Sequence, residues 1–344
     1  MTESLLSRLI DPEPLGPKEA RATLDLLVAI HTTDTERAGL LVALALRKIS
    51  TEELSFFARE IGRRAIRFPY PRSQQPVDLC GSGGARIPSF NVSTVSAFVV
   101  AGAGVPVIKH GNRSARGPCG SSDLLEALGL PVTTSIPFAR ETYRHVHLAF
   151  LHAPLYHPAT RLVAAARKAV GIPTIFNQLG PLSNPANVPF QVVGVPDSRA
   201  AERAARVLSL LGRRRAMAVT SAEGCDEFSP SGTTIGFLAS GGRIGRRTFD
   251  ARTLLRREDR IGDWGALAPI EAAEEARRVL AGGDGARRGS VLLTAAAALW
   301  LAGRARSMAD GVERARGALD SGRAEEVLDR MTTIAARFSR GSGG

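Results

Sequence analysis

Cysteine is scarce in this 344-residue chain: Cys80, Cys119 and Cys225 are the whole complement, and no two of them form a Cys-X-X-Cys pair. An odd, scattered set argues against a disulfide framework and points to a reducing, cytoplasmic setting. Long apolar runs are also missing, and none reaches the roughly 18 residues of a membrane-spanning helix. The segment from Met1 to Ile10 carries acidic Glu3 and no basic stretch before an apolar core, so no secretory signal is expected. Lysine is nearly absent. Only Lys18, Lys48, Lys109 and Lys168 occur, so the net charge of +12 is almost entirely arginine. The arginines are scattered along helix faces, and the tightest runs, Arg213-Arg214-Arg215 and Arg256-Arg257, are short. Such a field suits a nucleic acid, a small polyanion or a solvated surface, and charge alone does not choose among them.

What is present reads as ordinary globular protein, with 44% hydrophobic and 23% charged residues. The length allows one large or two unequal domains. Four segments, 4–15, 17–31, 35–48 and 51–64, place apolar residues at helical spacing. Thr33 or Asp34 caps the third and Ser50 or Thr51 the fourth. A proline-rich hinge at Pro69 to Pro76 then changes the pattern. Strands are expected at 77–80, 105–108, 147–151, 190–195 and 216–220. Helices are expected at 93–103, 158–170, 198–211, 271–282, 289–303 and 308–340. The fold class is therefore α/β: a small N-terminal helical domain over 1–70, then a larger domain over 71–340 with a central, mostly parallel sheet flanked by helices. Residues 341–344 form a flexible tail.

Three constellations carry chemistry. Gly81-Ser82-Gly83-Gly84 follows a strand, and Ser89, Asn91, Ser93 and Thr94 lead into a helix. Glycines there let backbone N–H groups approach an anion, and the helix N-terminus adds its dipole. The second is Lys109-His110-Gly111-Asn112-Arg113-Ser114, followed by Cys119-Gly120-Ser121-Ser122-Asp123, a second anion-cradling loop after a strand. The third is the Asp226-Glu227 pair in a loop after another strand, two hard carboxylate ligands suited to Mg²⁺.

The run KHGNRS followed by GSSDLLEALG, with GSGG and SFNVST before it and TIFN plus QLGPLSNPA after it, resembles the ordered motifs of anthranilate phosphoribosyltransferases over about residues 15–335. The resemblance implies an Mg²⁺-dependent transferase of tryptophan biosynthesis, moving phosphoribosyl from phosphoribosyl pyrophosphate to anthranilate with release of pyrophosphate. It implies an active site in the hinge cleft between the two domains, a homodimer through the helical domain, and a helical domain completed by a segment from mid-chain. Gly81, Gly83, Gly84, Ser89, Asn91, Ser93, Thr94, Lys109, Cys119 and Ser121 would hold phosphoribosyl pyrophosphate, with Cys119 where the family often has serine. Gly81, His110, Asn112 and Arg167 would line the anthranilate path, Arg167 being suited to a carboxylate. Lys109 and His110 would be catalytic, and Ser93, Asp226 and Glu227 would bind the metal.

Four positions depart from the family's pattern. Ala85 and Arg86 replace an Asp-Gly in the glycine loop, Arg116 replaces a small residue, and Thr220 stands where histidine is frequent. They leave open a member that acts on another aromatic acceptor, or a catalytically inactive homologue that binds nucleic acid. A nucleoside phosphorylase of similar fold is a further alternative. Retention of Lys109, Asn112, Arg167, Asp226 and Glu227 favours the transferase, and neither a membrane nor a nucleic acid is the expected partner.

Overall fold

The computed structural model describes residues 2–82, 87–114 and 117–340. Four helices open the chain: α1 (Thr2–Ile10), α2 (Pro17–Leu27), α3 (Asp34–Leu46) and α4 (Thr51–Arg64). Thr33 and Ser50 are the caps, each in a reciprocal box with the glutamate three residues on, Glu36 and Glu53. Each box satisfies two donors that the first turn leaves over. The first two helices end earlier than their apolar spacing suggests. Asp11 to Gly16 form a connection instead, tied down by Arg47, which donates to the carbonyls of Leu9, Asp11 and Glu13.

Seven strands follow: β1 (Val77–Gly81), β2 (Val107–Gly111), β3 (Leu148–His152), β4 (Phe190–Gly194), β5 (Arg215–Ser221), β6 (Thr233–Ser240) and β7 (Arg243–Asp250). They form one sheet in the order β3-β2-β1-β4-β5-β6-β7. The first five are parallel, and β6 and β7 add to one edge antiparallel. This is the expected mostly parallel sheet. The second strand begins at Val107 rather than Val105, because Pro106 precedes it and lacks the N–H a ladder needs.

Burial explains the strand sequences. Parallel strands covered on both faces read as continuous apolar runs, and β1 to β4 are buried along nearly their whole length. One face is covered by α5 (Val92–Gly102) and by Pro269–Leu280, Ala286–Leu301, Met308–Asp320 and Arg323–Arg340. The helix expected over 308–340 is two helices, broken at Ser321 and Gly322, where Gly322 adopts φ +76°. The other face packs on α1–α4 and on Ser198–Leu210. Val163, Ala166, Ile175, Phe176 and Leu179 from mid-chain join that same core. Among the described residues no helix is long and apolar enough to cross a membrane.

Candidate functional site

The C-terminal ends of β1, β2 and β5 converge, and each delivers one of the three constellations. In an open parallel sheet that edge is where ligands bind. β1 ends in Gly81, and Ser82 Oγ donates to Asp226 Oδ2 at 3.2 Å. A side chain at Gly81 would press on the same carboxylate, its Cβ lying 3.1 Å from Asp226 Oδ2. Gly83 and Gly84 lie outside the described residues.

The chain returns through Ser89, which bridges to Gly265, and Asn91, whose Nδ2 donates to the Cys119 carbonyl at 3.1 Å. Asn91 precedes α5, a helix buried along nearly all its length, polar Ser93 and Thr94 of its first turn included. Thr94 Oγ1 donates to Ser121 Oγ at 3.0 Å, and the backbone N–H of Ser93 donates to Glu227 Oε1 at 3.2 Å. The start of α5 therefore touches the second loop on one side and the acidic pair on the other.

The second loop is organised by Asp123, which accepts from the backbone of Ser114 at 3.1 Å and of Gly120 at 2.9 Å. Arg113 turns outward to Asp123 and Glu126 rather than into the cleft. Cys119 is half-buried, and burial pushes its thiol up to about 11, so it stays protonated at neutral pH. Asn112 is exposed, with its carbonyl accepting from the backbone of Ser122.

Lys109 and His110 are both buried on β2. Beneath them lies Asp78, fully buried on β1, which accepts from the His110 backbone N–H at 3.1 Å and from Gln191 Nε2 at 3.2 Å. Burial raises the Asp78 carboxyl above its usual range, and the Lys109 ammonium opposes that shift. The His110 ring stacks at a tilt on His157, with centroids 5.1 Å apart. Burial drives His110 well below the ordinary imidazole range and His157 to about 4, so both are neutral at pH 7. The Nε2 atoms of His110 and His157 are buried without a partner among the described residues. Arg167 is half-buried, with its guanidinium 5.3 Å from the centroid of Phe176 and no ion pair among the described residues.

Asp226 and Glu227 are both buried. Burial, and then the neighbouring Asp226, push the Glu227 carboxyl up to about 8. A divalent cation between two such carboxylates relieves both penalties, and the oxygen-only donors suit a hard ion. Among the described residues no three His, Cys, Asp or Glu side chains are placed to hold a metal ion together. The pair can supply only part of an octahedral shell, as is usual where Mg²⁺ keeps water and phosphate oxygens.

Residues 73–325 match the glycosyl transferase family a/b domain, and residues 3–65 match the helical bundle domain of the same family. An anthranilate phosphoribosyltransferase of Syntrophobacter fumaroxidans is 40% identical over 333 residues, covering 96% of this chain and 98% of its own. The chain belongs to the anthranilate phosphoribosyltransferase family. The crystal structure of the family member from Thermus thermophilus superposes with a TM-score of 0.86 at 33% identity, covering 96% of this chain and 99% of that one. The Saccharomyces cerevisiae enzyme, solved in complex with PRPP and Mg, shares the fold with a TM-score of 0.85 at 24% identity, over 98% of each chain.

Within the described residues, contacts link Gly81, Ser82, Asp226, Ser93 and Glu227 on one side and Thr94 and Ser121 on the other, while Arg167 packs over Phe176, which belongs to the core shared with the helical domain. Of the four departures, Ala85, Arg86 and Arg116 lie outside the described residues. Thr220 is buried at the end of β5, with Oγ1 lacking a partner among the described residues. Motif reading overlooked several groups that shape the site. Asp78 and Gln191 are charged or polar within otherwise apolar central strands, and that anomaly was the available signal. Gly194 ends β4, where an added Cβ would lie 1.5 Å from the Asp226 carbonyl oxygen. His157 had no signal beyond being a histidine before a proline.

Proposed function

We propose that the chain transfers phosphoribosyl from phosphoribosyl pyrophosphate to the amino group of anthranilate, releasing pyrophosphate. The observation that carries this reading is the meeting of the α5 N-terminus, the second loop and the buried acidic pair at one sheet edge; His110 and His157 are neutral, and Arg167 has no ion pair among the described residues. Gly81, Gly83, Gly84, Ser89, Asn91, Ser93, Thr94, Lys109, Cys119 and Ser121 hold phosphoribosyl pyrophosphate. The glycine turn and first turn of α5 supply backbone donors, and Lys109 supplies a positive charge for the departing pyrophosphate.

Asp226 and Glu227, with Ser93 beside them, hold Mg²⁺, which when bound offsets the charge that accumulates on pyrophosphate. Arg167 pairs with the anthranilate carboxylate, and its stack on Phe176 leaves the guanidinium fork free for two parallel hydrogen bonds. His110, with Gly81 and Asn112 nearby, orients the amine. An aryl amine is unprotonated at neutral pH, so placing it against the sugar carbon is most of the work required of the acceptor side. The neutral ring of His110 accepts a hydrogen bond from that amine, or takes its proton once the new C–N bond has formed.

The protein acts as a homodimer through the helical domain, on which Ile10, Ile30, Val42 and Leu46 are large apolar side chains left exposed. It works in the cytoplasm, in keeping with three free thiols. The test is loss of anthranilate fluorescence with phosphoribosyl pyrophosphate and Mg²⁺, beside Asp226→Asn/Glu227→Gln. Metal-dependent turnover that the double substitution abolishes is expected. No turnover with anthranilate, but pyrophosphate release with another aromatic amine, would overturn the acceptor and keep the chemistry. Salt-sensitive DNA binding with no turnover on any acceptor would overturn the enzyme.

A further inference from the structure

A second concave site lies at the opposite end of the strands from the cleft. It is a cavity of about 590 Å³ between α4 and the segments that precede β1, β4 and β5. Asn187 stands before β4 at Phe190 and Arg213 before β5 at Arg215, whereas Gly81, Gly111 and Ser221 end their strands. In a parallel sheet these are opposite edges.

The lining is strongly cationic. Arg59, Arg63, Arg67 and Arg213 contribute to it, with Tyr70 and Asn187 as further hydrogen-bonding groups, and no aspartate or glutamate lines it. The charges are poorly compensated from behind. Arg63 shares Glu60 with Arg21 and Arg64, the last of which also pairs with Asp25, so two carboxylates serve three guanidiniums. Among the described residues Arg59 donates only to the Leu210 carbonyl, and the exposed Arg67 has no ion pair. Arg213 keeps 8% of its surface, yet its partners are neutral: Nε donates to Gln191 Oε1 at 3.2 Å and Nη1 to Asn187 Oδ1. Its Nη2 donates to no acceptor among the described residues. The buried Asp78 carboxyl acts on Arg213 only through space, and a guanidinium buried without a directly bonded anion is costly; three further guanidiniums stand around it.

We propose that this cavity is a second ligand site, which takes a small phosphorylated anion across the rear of the hinge. Its volume is that of a metabolite-sized pocket. Guanidinium forks match phosphate oxygens in geometry as well as charge. The site also reaches the catalytic end. Gln191, held by Arg213, donates to Asp78 Oδ2 at 3.2 Å, and Asp78 Oδ1 accepts from the backbone of His110 at 3.1 Å. An anion on Arg213 therefore pulls on the residue that fixes Lys109 and His110 from below. Since α4 forms one wall, the same anion also ties the helical domain to the sheet.

The probe is radiolabelled orthophosphate in equilibrium dialysis against the full chain, in a Lys109→Met background that weakens anion binding in the cleft. Residual phosphate binding is expected, falling by about tenfold or more when Arg63→Gln and Arg67→Gln are added, since each removes a charge-assisted contact. Arg213→Gln should weaken it similarly and Arg213→Lys less. Both Arg63 and Arg67 are exposed, so the fold is retained, and matching thermal unfolding curves check this. Two results overturn the proposal: no phosphate bound once Lys109 is replaced, or residual binding that the two arginine substitutions leave unchanged.

Discussion

The two sides of the cleft are built on opposite plans. On the side of the sheet and α5, polar groups are already paired with one another: Thr94 with Ser121, Asn91 with Cys119, Ser93 with Glu227, and Ser82 with Asp226. On the side facing the helical domain they are not. The Nε2 atoms of His110 and His157 are buried without partners among the described residues, and Arg167 has an aromatic face in place of a carboxylate. Buried polar groups left unpaired are expensive, so the second side is stable only to the extent that a ligand completes it. On the proposed assignment the first side takes the always-charged phosphoribosyl pyrophosphate, and the second takes anthranilate, a flat molecule with an anion at one end and an amine at the other.

The largest effect should come from disturbing the organised side at its tightest point. Gly194 has no room for a methyl group, because the obstacle at 1.5 Å is the backbone oxygen of Asp226 and not a side chain that can swing away. Gly194→Ala should displace the acidic pair and lower kcat/KM about a hundredfold, the usual penalty for a shift of roughly 1 Å near the chemistry. It should also cost about 1–3 kcal/mol of stability through overpacking. Gly180→Ala has open space around its Cβ and should do neither. Steady-state kinetics with denaturant unfolding separates the two. If Gly194→Ala keeps full activity, the acidic pair tolerates movement and the contrast between the two sides fails.

The second side should respond in substrate affinity. On the proposed pairing of Arg167 with the anthranilate carboxylate, Arg167→Gln leaves that carboxylate without a charged partner. KM for anthranilate should rise about ten- to a hundredfold, as loss of one charge-assisted pair implies. KM for phosphoribosyl pyrophosphate should stay within about twofold. A rise confined to phosphoribosyl pyrophosphate would place Arg167 on the wrong side of the cleft.

What the sequence disclosed follows the same division. The organised side is made of short contiguous runs, so GSGG, KHGNRS and the Asp-Glu pair were readable as motifs, and the apolar strands before them placed each at a sheet edge. Gly194 was hidden because its constraint comes from Asp226, more than thirty residues away, and spacing along the chain says nothing of a contact through space. The partnership of His110 with His157 is hidden for the same reason. In the fold, β6 and β7 went unread although Gly241-Gly242, both at positive φ, is a two-residue hairpin turn between strand-like runs. The small polar residues after the second strand were expected to lead into a helix, and Ser121–Ala127 is that helix. The helix Ile136–Val146 was passed over, because it follows a Leu-Gly-Leu-Pro stretch that reads as loop.

The smallest effect is on stability, and it tests whether the unpaired imidazoles carry a cost. His157 has a folded-state pKa of about 4 against an ordinary value of 6.5. Its protonation is therefore easier in the unfolded chain, which takes up a proton first as the pH falls. The native state loses stability progressively between about pH 6.5 and 4, by about 3 kcal/mol from this residue when the shift is expressed in full, and loses no more below that. His157→Asn removes the titration and should flatten this part of the stability curve, measured by urea unfolding at pH 7.5, 5.5 and 4. If wild type and variant lose stability in parallel from pH 7.5 to 4, His157 is not held neutral by burial, and the second side of the cleft is less costly than its unpaired atoms imply.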